Sequence, residues 1–242
     1  MSKADEPDEG GNTVVLTPRE EEEVEQRAPP RPEVVFETIR REGRNELERP
    51  VWALLWSGLA AGMSMGFSFA GVGLLHALVP DSSYRKLIES LGYTLGFLIV
   101  VLGRQQLFSE NTLTVILPLL DSPKKREVFW KVMRLWSIVL LANLGGCAMF
   151  AVAAAISQVF PETMKAALDA VAAETARQSF LEVFERGIFA GWMIALMVWL
   201  LPASEVLRPV VIIIITYFVG AFGLAHIIAG STEVIYAVVR GS

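Results

Sequence analysis

Residues 226–233 read HIIAGSTE and interrupt a long apolar segment near the end of the chain. A histidine, a glycine, two hydroxyl side chains and a glutamate stand where an unbroken membrane-spanning helix would carry apolar residues. Ionisable side chains inside such a segment are costly and usually functional. The stretch therefore predicts a helix that is broken at membrane depth, with a polar site at the break.

The composition divides the 242-residue chain into an acidic N-terminal part and an apolar body. The first 49 residues contain 14 of the 26 acidic residues and 8 of the 21 basic ones. Acidic, proline-rich sequence over 1–32 predicts a disordered tail, in which Thr17 and Glu20 are suited to start a short helix. Residues 33–49 predict an amphipathic juxtamembrane helix that lies against the membrane, its arginines facing anionic lipid head groups.

The body, residues 50–242, contains several apolar stretches close to the roughly 20 residues that cross a bilayer. Small residues at four-residue spacing in the first stretch, among them Gly58 and Gly62, favour close helix packing. Segments predicted on one side carry ten Lys or Arg residues and those on the other carry six, which places the N-terminus in the cytoplasm. The predicted spans are about 51–79, 91–120, 135–160, 187–201 and 210–239.

Several classes of protein are disfavoured by what the sequence lacks. Cys147 is the only cysteine, so an intrachain disulfide is excluded, and no Cys/His spacing typical of a metal site is present. A nucleophile–base pair, a nucleotide-binding loop and a basic stripe for nucleic acid are also missing from the sequence. We therefore expect a protein that is not an enzyme and that has no cofactor, no metal and no nucleic-acid partner.

The second and fifth apolar stretches share one form, a long half, a polar interruption and a short half. Ser109, Asn111 or Thr112 is a candidate N-cap after the first interruption, and Ser231 or Thr232 after the second. Because three spans separate them, these stretches would occupy equivalent places in two inverted halves, which is typical of a central binding site in transport proteins. Two helix N-termini directed at such a site would suit a small anion.

A simpler interpretation is that glycine and serine merely kink two buried helices. The interruptions, however, also hold His226, Glu233, Glu110 and Arg104, and four ionisable groups at two breaks favour a functional site. His226 is the natural candidate for the pathway, since imidazole titrates near neutral pH. It can donate a hydrogen bond to a passing anion, or a proton that converts the anion to a neutral acid.

Five motifs follow one another along the body of the chain: AAGMSMGFSFAG (60–71), QLFSENTLT (106–114), LANLGG (141–146), RGIFAGWMIALMVWL (186–200) and GLAHIIAG (223–230). In this order they resemble the formate/nitrite transporter family, and their variant is most similar to its less characterised subset of YfdC-like inner-membrane proteins. The resemblance implies a multi-pass protein of a bacterial-type inner membrane, a homopentameric channel or transporter for small monovalent anions or their weak acids. It also implies an all-α polytopic membrane protein, with an aquaporin-like inverted repeat of three-helix halves and broken second and fifth helices.

The same resemblance assigns roles to individual residues. His226 becomes the central pore histidine, and Leu107, Phe108 and Ser109 become a mobile loop and constriction. A neutral, protonated substrate would cross such a constriction more cheaply than an anion. The predicted pore or substrate residues are His226, Leu107, Phe108, Ser109, Asn111, Gly230, Ser231 and Thr232.

The sequence also departs from the family pattern. Ala225 stands where glutamate usually precedes the histidine, and Gly191 and Gly230 replace two asparagines. Arg104, Glu110 and Glu233 are additions, and we expect Arg104 to pair with one of the two glutamates, because an unpaired buried arginine is very costly. Such a charge network could instead close the pore of a non-conducting membrane scaffold or sensor. The family has six spans, so we also expect the sixth helix to be missing or cut off after Ser242.

Overall fold

The computed structural model describes residues 16–28 and 30–241, apart from the side chains of 25–27, and divides the chain into two units, Met1–Arg31 and Pro32–Ser242. In the first unit, helix α1 spans Pro18–Arg27. Thr17 Oγ1 accepts from the backbone N–H of Glu20 at 3.4 Å, and Thr17 N donates to the Glu20 carboxylate at 2.8 Å. The predicted helix start is thus seen in the structure; the disordered tail predicted over 1–32 stays a prediction, and residues 1–15 lie outside the described residues.

The second unit is helical throughout its described length apart from short connections. Three of its helices are long and apolar enough to cross a membrane, namely α3, α7 and the segment Phe180–Ala203 that contains α9, and α10 is a shorter apolar helix. The helices are α2 (Pro32–Leu47), α3 (Val51–Leu78), α4 (Arg85–Leu102), α5 (Phe108–Thr114), α6 (Ile116–Asp121), α7 (Lys125–Ile156), α8 (Glu162–Ala176), α9 (Phe180–Leu200), α10 (Arg208–Ala221) and α11 (Ile227–Arg240), with a 3-10 turn at Leu201–Ala203.

Helices α3 and α7 cross at a point where neither backbone has room for a side chain. A Cβ atom added to Gly62 would lie 2.0 Å from the carbonyl oxygen of Asn143, and one added to Gly146 would lie 2.2 Å from that of Leu59. Close approach through small residues is the usual way for helices to associate in lipid. The packing role predicted for the glycine-rich face of the first span is therefore seen in the structure.

Helix α2 turns its apolar face toward the protein. Val35, Ile39, Gly43 and Leu47 follow one another at four-residue spacing, and all four are buried. Val35 and Ile39 pack in one cluster with Val198 of α9. The amphipathic pattern is thus satisfied inside the molecule, whereas the sequence led us to expect contact with lipid.

The arginines of α2 are likewise engaged within the protein. Arg40 forms ion pairs with Glu37 and with Asp121 at the end of α6, and Arg41 pairs with Glu37. Hydrogen bonds from Arg40 and Arg41 lower the pKa of Glu37 to about 2. Pairing of this kind ties α2 to the turn that precedes α7.

The two ends of the bundle are distinguished by the helices that cover them. At the α2 end, Lys131 of α7 bonds Glu48 at 2.8 Å, which joins α7 to the residues just after α2. At the α8 end, Arg240 near the close of α11 makes two hydrogen bonds to Asp169, at 2.9 and 3.0 Å. The candidate site lies between these ends, where α4 and α10 stop and α5 and α11 begin.

Candidate functional site

The second break lies at 222–226, just before the residues for which the sequence predicts it. Gly223 adopts a positive φ of 63°, which glycine accepts without strain, and α11 begins at Ile227. Ser231 and Thr232 lie inside α11, where their hydroxyls donate to the carbonyls of Ile227 at 2.6 Å and Ile228 at 3.4 Å. The prediction that Gly230, Ser231 and Thr232 break and cap this helix is therefore wrong.

His226 itself caps α11. Its Nδ1 accepts from the backbone N–H of Ala229 at 3.3 Å, the role that serine or aspartate usually has at a helix start. Since Nδ1 is an acceptor, the proton of the neutral imidazole resides on Nε2. The helix start therefore fixes both the orientation and the tautomer of the ring.

The first break lies at 103–107, with Arg104 at a positive φ of 50° and α5 beginning at Phe108. Leu107 is the N-cap residue and makes no side-chain cap. Ser109, Asn111 and Thr112 lie within α5, so the caps predicted from these residues are wrong, as is the break predicted at 109–111.

Asn143 of α7 supplies the missing cap from another helix. Its Oδ1 accepts from Phe108 N at 2.9 Å, and its Nδ2 donates to the carbonyls of Gly58 at 2.7 Å and Gln106 at 2.9 Å. Asn143 is fully buried. The sequence analysis gave it no role beyond its place in a motif, although an amide in the middle of an apolar span is a signal of a buried polar contact.

One hydrogen bond joins the two breaks. The ring atom Nε2 of His226 lies 2.7 Å from Ser109 Oγ, and with the tautomer given above the histidine donates to the serine. The edge of the imidazole also meets Phe97 of α4, with ring centroids 4.9 Å apart. The structure thus brings together His226 and Ser109, which the sequence placed in one pore.

A second set of hydrogen bonds holds the first break toward the α2 end. Gln106 N donates to Ser57 Oγ at 3.0 Å, and Gln106 Nε2 donates to Glu46 Oε2 at 2.8 Å. Asn111 Nδ2 in turn donates to Gln106 Oε1 at 3.0 Å. Because Gln106, Leu107, Ser109 and Asn111 are all buried, the protein is closed on this side of His226.

The other side of His226 is open. A cavity of about 950 Å³, here called the vestibule, reaches Ala225 and His226 from the α8 end. Gly230 and Glu233 of α11 line it together with His226. Of the predicted pore residues, Gly230 and Ser231 also belong to this wall, whereas Leu107, Phe108, Ser109, Asn111 and Thr232 do not.

The expected pairing of Arg104 with Glu110 or Glu233 is not seen among the ion pairs of residues 30–241. Arg104 is exposed on the break, and the charged group that acts on Glu110 is Glu42. Glu233 instead accepts a hydrogen bond from the hydroxyl of Thr175 on α8. Because the break begins at Gly103, Arg104 lies at the surface of the chain. The alternative of a non-conducting pore rested on an ion pair of Arg104 with a glutamate, and the described residues give that pair no support.

Cys147 and the other potential metal ligands are not clustered in the part of the chain that the structure describes. No three His, Cys, Asp or Glu side chains within it are grouped as metal ligands. Cys147 is buried and its thiol points to the carbonyl oxygen of Ile228 at 3.4 Å. The site is therefore one of hydrogen-bond donors, backbone amides and a cavity.

An all-helical bundle with two helices broken at the same depth, joined at a buried histidine, defines the class of polytopic membrane transport proteins. The sequence profile described as formate/nitrite transporter matches residues 33–242. The chain belongs to the formate/nitrite transporter family, a family of channels and transporters. The family, the fold class and the expectation that the protein is not an enzyme are thereby confirmed.

Particular relatives agree with this assignment. The chain is 39% identical to the inner membrane protein YfdC of Escherichia coli (strain K12) over 218 residues, which cover 90% of this chain and 70% of that protein. A solved pentameric formate channel with formate bound superimposes with a TM-score of 0.68 at 21% identity, covering 78% of this chain and 75% of that one. An FNT family ion channel gives a TM-score of 0.69 at 18% identity, with coverages of 86% and 82%.

Proposed function

We propose that the protein conducts a small monovalent anion, or its conjugate weak acid, through a pore in which His226 is the central polar group. The observation that carries this proposal is the hydrogen bond from His226 Nε2 to Ser109 Oγ, which lies between two helix starts at the inner limit of the vestibule. The Nε2–H group is a donor at the inner limit of the vestibule, where it would exchange Ser109 for a substrate oxygen.

The closed layer beyond His226 explains why a protonated substrate is favoured. Leu107 is fully buried and packs in the same cluster as Ile228 and Phe97. Moving an ion through such an apolar layer is far more costly than moving a neutral polar molecule. A substrate that crosses as the weak acid therefore meets the lower barrier, and the segment 103–107 is the part we expect to move.

The proposal extends to the oligomeric state of the protein and to its orientation in the membrane. One solved relative is described as a pentameric formate channel, and only 22% of the spanning window around α9 is buried within the chain, which leaves that helix for lipid or neighbouring subunits. We propose a homopentamer in the inner membrane. The segments 40–49, 121–134 and 202–209, which carry most of the basic loop residues, gather at the α2 end, and we assign this end to the cytoplasm.

Uptake by proteoliposomes tests the role of His226. We expect His226→Phe, which keeps an aromatic ring against Phe97 but removes the donor, to reduce uptake by about 10- to 100-fold, the range that corresponds to leaving a buried polar group of the substrate without its partner. Formate, nitrite, acetate, lactate and hydrosulfide form the substrate panel. The control is Tyr217→Phe, because Tyr217 of α10 contacts Phe218 and is not among the residues that line the vestibule.

Two results would count against the proposal. If no member of the panel enters liposomes that contain the wild-type assembly, the protein is not a channel for these anions. If wild type transports and His226→Phe transports equally well, the pore does not depend on the histidine.

The open wall at Gly230 provides an independent test of the route. A Cβ atom added at Gly230 would meet no other atom within 4 Å, and the residue faces the vestibule between His226 and Glu233. We therefore expect Gly230→Phe to lower uptake at least tenfold by filling the passage, while Gly230→Ala stays within about twofold of wild type. Equal melting temperatures of the two variants would show that the loss is one of passage; unchanged uptake by Gly230→Phe would place the route elsewhere.

A further inference from the structure

Glu233 has a position on the proposed route that the histidine alone does not explain. His226, Gly230 and Glu233 are spaced i, i+4 and i+7, so they share one face of α11, and all three line the vestibule. Seven residues of helix place Glu233 about 10 Å from His226 toward the α8 end. A substrate that enters from that end passes the carboxyl group before it reaches the imidazole.

The contacts of Glu233 leave half of its carboxyl group available. Oε2 accepts the Thr175 hydroxyl of α8, and no hydrogen bond joins Oε1 to another residue between 30 and 241. The charged side chains that act on it are Lys86 of α4 and Glu174 of α8, both of which line the vestibule. The group is therefore held in place by one oxygen and offers the other to the cavity.

The charge of the vestibule is unfavourable for collecting anions. Three acidic side chains, Glu89, Glu174 and Glu233, face it against two basic ones, Lys86 and Arg186. Lys86 acts electrostatically on the Glu233 carboxyl group, and Arg186 donates to the carbonyl of Gly223 at 3.4 Å, so each basic group has a neighbour of opposite polarity in the wall. With Glu233 protonated the two acidic and two basic side chains balance, and with Glu233 ionised the wall is negative, so in neither state does the vestibule have an excess of positive charge to hold an anion.

We infer that Glu233 is a proton donor to the incoming weak-acid anion, upstream of His226, an inference that rests on the proposed function. The O–H bond of the Glu233 carboxyl group breaks, an O–H bond forms on the anionic oxygen of the substrate, and the neutral acid moves on toward His226. Glu233 is left as a carboxylate, stabilised by Lys86 and the Thr175 hydroxyl, and takes its next proton from hydronium in the vestibule.

Other titratable groups face α11 or the vestibule from the packed helices. On α11 itself, Tyr236 and Arg240 lie further toward the α8 end, where Arg240 pairs with Asp169 of α8. Glu110 of α5 has Glu42 as its charged neighbour and lies on the closed side. The remaining groups are His76 of α3, bonded to Glu89, then Lys86, Glu89 and Tyr93 of α4, Cys147 of α7, Glu174 of α8 and Arg186 of α9.

The inference is tested by comparing formate uptake by wild type and by Glu233→Gln at pH 4 and at pH 7. The glutamine keeps the size of the side chain and an acceptor for Thr175, but it has no proton to give. We expect uptake at least tenfold below wild type at pH 7, where the substrate is ionised, and within twofold of wild type near pH 4, where solution already supplies the acid. Glu162→Gln, on the exposed start of α8 outside the vestibule, is the control and should follow wild type at both pH values.

A second variant and a second ion separate proton donation from simple charge repulsion. Thr175→Val removes the donor that favours the carboxylate, so we expect the midpoint of the pH profile to move to higher pH. Chloride, which cannot be protonated at these pH values, should pass poorly in wild type and in Glu233→Gln. If Glu233→Gln instead raises the uptake of formate and chloride alike at pH 7, the carboxylate only repels anions and the inference is overturned.

The remaining outcomes are equally decisive. An equal loss of uptake by Glu233→Gln at both pH values would assign Glu233 a structural role and overturn the inference. Uptake by Glu233→Gln that matches wild type at both pH values would also overturn it. In either case the proposed function would remain intact. A wild-type protein that transports nothing at either pH would overturn the proposed function and this inference together.

Discussion

Replacing Gly146 by alanine is expected to prevent most of the chain from reaching its folded state. The added Cβ would lie 2.2 Å from the carbonyl oxygen of Leu59, 2.7 Å from Met63 N and 2.9 Å from the Cα of Gly62. All three are backbone atoms of α3, so no side chain can turn away, and the two helices must separate. We expect a loss of about 3 kcal/mol or more, at the upper end of the overpacking range.

The neighbouring glycine provides the matched control. A Cβ at Gly145 would meet only Leu59 Cδ1, at an ordinary 3.5 Å. Since alanine is favoured over glycine in a helix interior by about 1 kcal/mol, Gly145→Ala should fold as well as wild type. Thermal unfolding in detergent and the yield of assembled protein measure both variants; equal melting temperatures would show that α3 and α7 do not cross as closely as the structure indicates.

Replacing Asn143 by leucine is expected to have the second largest effect. The change keeps the branching and the number of heavy atoms of the side chain but removes hydrogen bonds to Phe108 N, to the Gln106 carbonyl and to the Gly58 carbonyl. At about 1 kcal/mol for each bond, with a further penalty for polar groups left unpaired in a buried site, we expect a loss of about 3 to 5 kcal/mol.

The loss of stability in Asn143→Leu should be greatest at the start of α5. Amide hydrogen exchange should accelerate most at Phe108, where the helix start loses its cap, and should spread into 103–107. Asn45→Ala, at an exposed position of α2, serves as the control and should leave exchange in this segment unchanged. Protection at Phe108 that survives Asn143→Leu would mean that another group caps α5.

Much of the fold could be predicted from the sequence because its cause is local. Apolar length alone predicts the spans, and the ends of α3, α7 and α9 lie within ten residues of the predicted ends. The ends that differ most, such as the start of α7 at Lys125, are charged turns that continue a helix beyond the apolar core. His226 was identified for a similar reason, since an imidazole in an apolar run has few explanations other than a site.

The positions of the two breaks depend on contacts that are remote in sequence. Ser109, Asn111, Ser231 and Thr232 have the right chemistry for caps, yet inside a helix their side chains are satisfied locally or by neighbours. The cap of α5 comes from Asn143, 35 residues away, and so no local pattern reports it. Gly223 and Gly230 both permit a turn, and the sequence does not show which of them adopts positive φ.

The ion pair predicted between Arg104 and Glu110 or Glu233 is absent from residues 30–241 for a related reason. Arg104 was expected to be buried because the break was placed after it, and burial would have required a carboxylate partner. Once the break begins at Gly103, the guanidinium is exposed and needs none. Glu233 then finds a hydroxyl of α8, a contact between residues 58 positions apart that the sequence could not predict.

Helix α7 has a consequence for how such a molecule is able to move. One side of it is locked into α3 at Gly146, and the adjacent Cys147 donates toward the carbonyls of Gly62 in α3 and Ile228 in α11. Helix α7 therefore contacts both halves of the bundle at once. A movement of one half relative to the other would break the close packing of α7 against α3 and its contact with α11. We therefore expect any rearrangement during transport to be confined to the two breaks, 103–107 and 222–226, while the helices around them keep their packing.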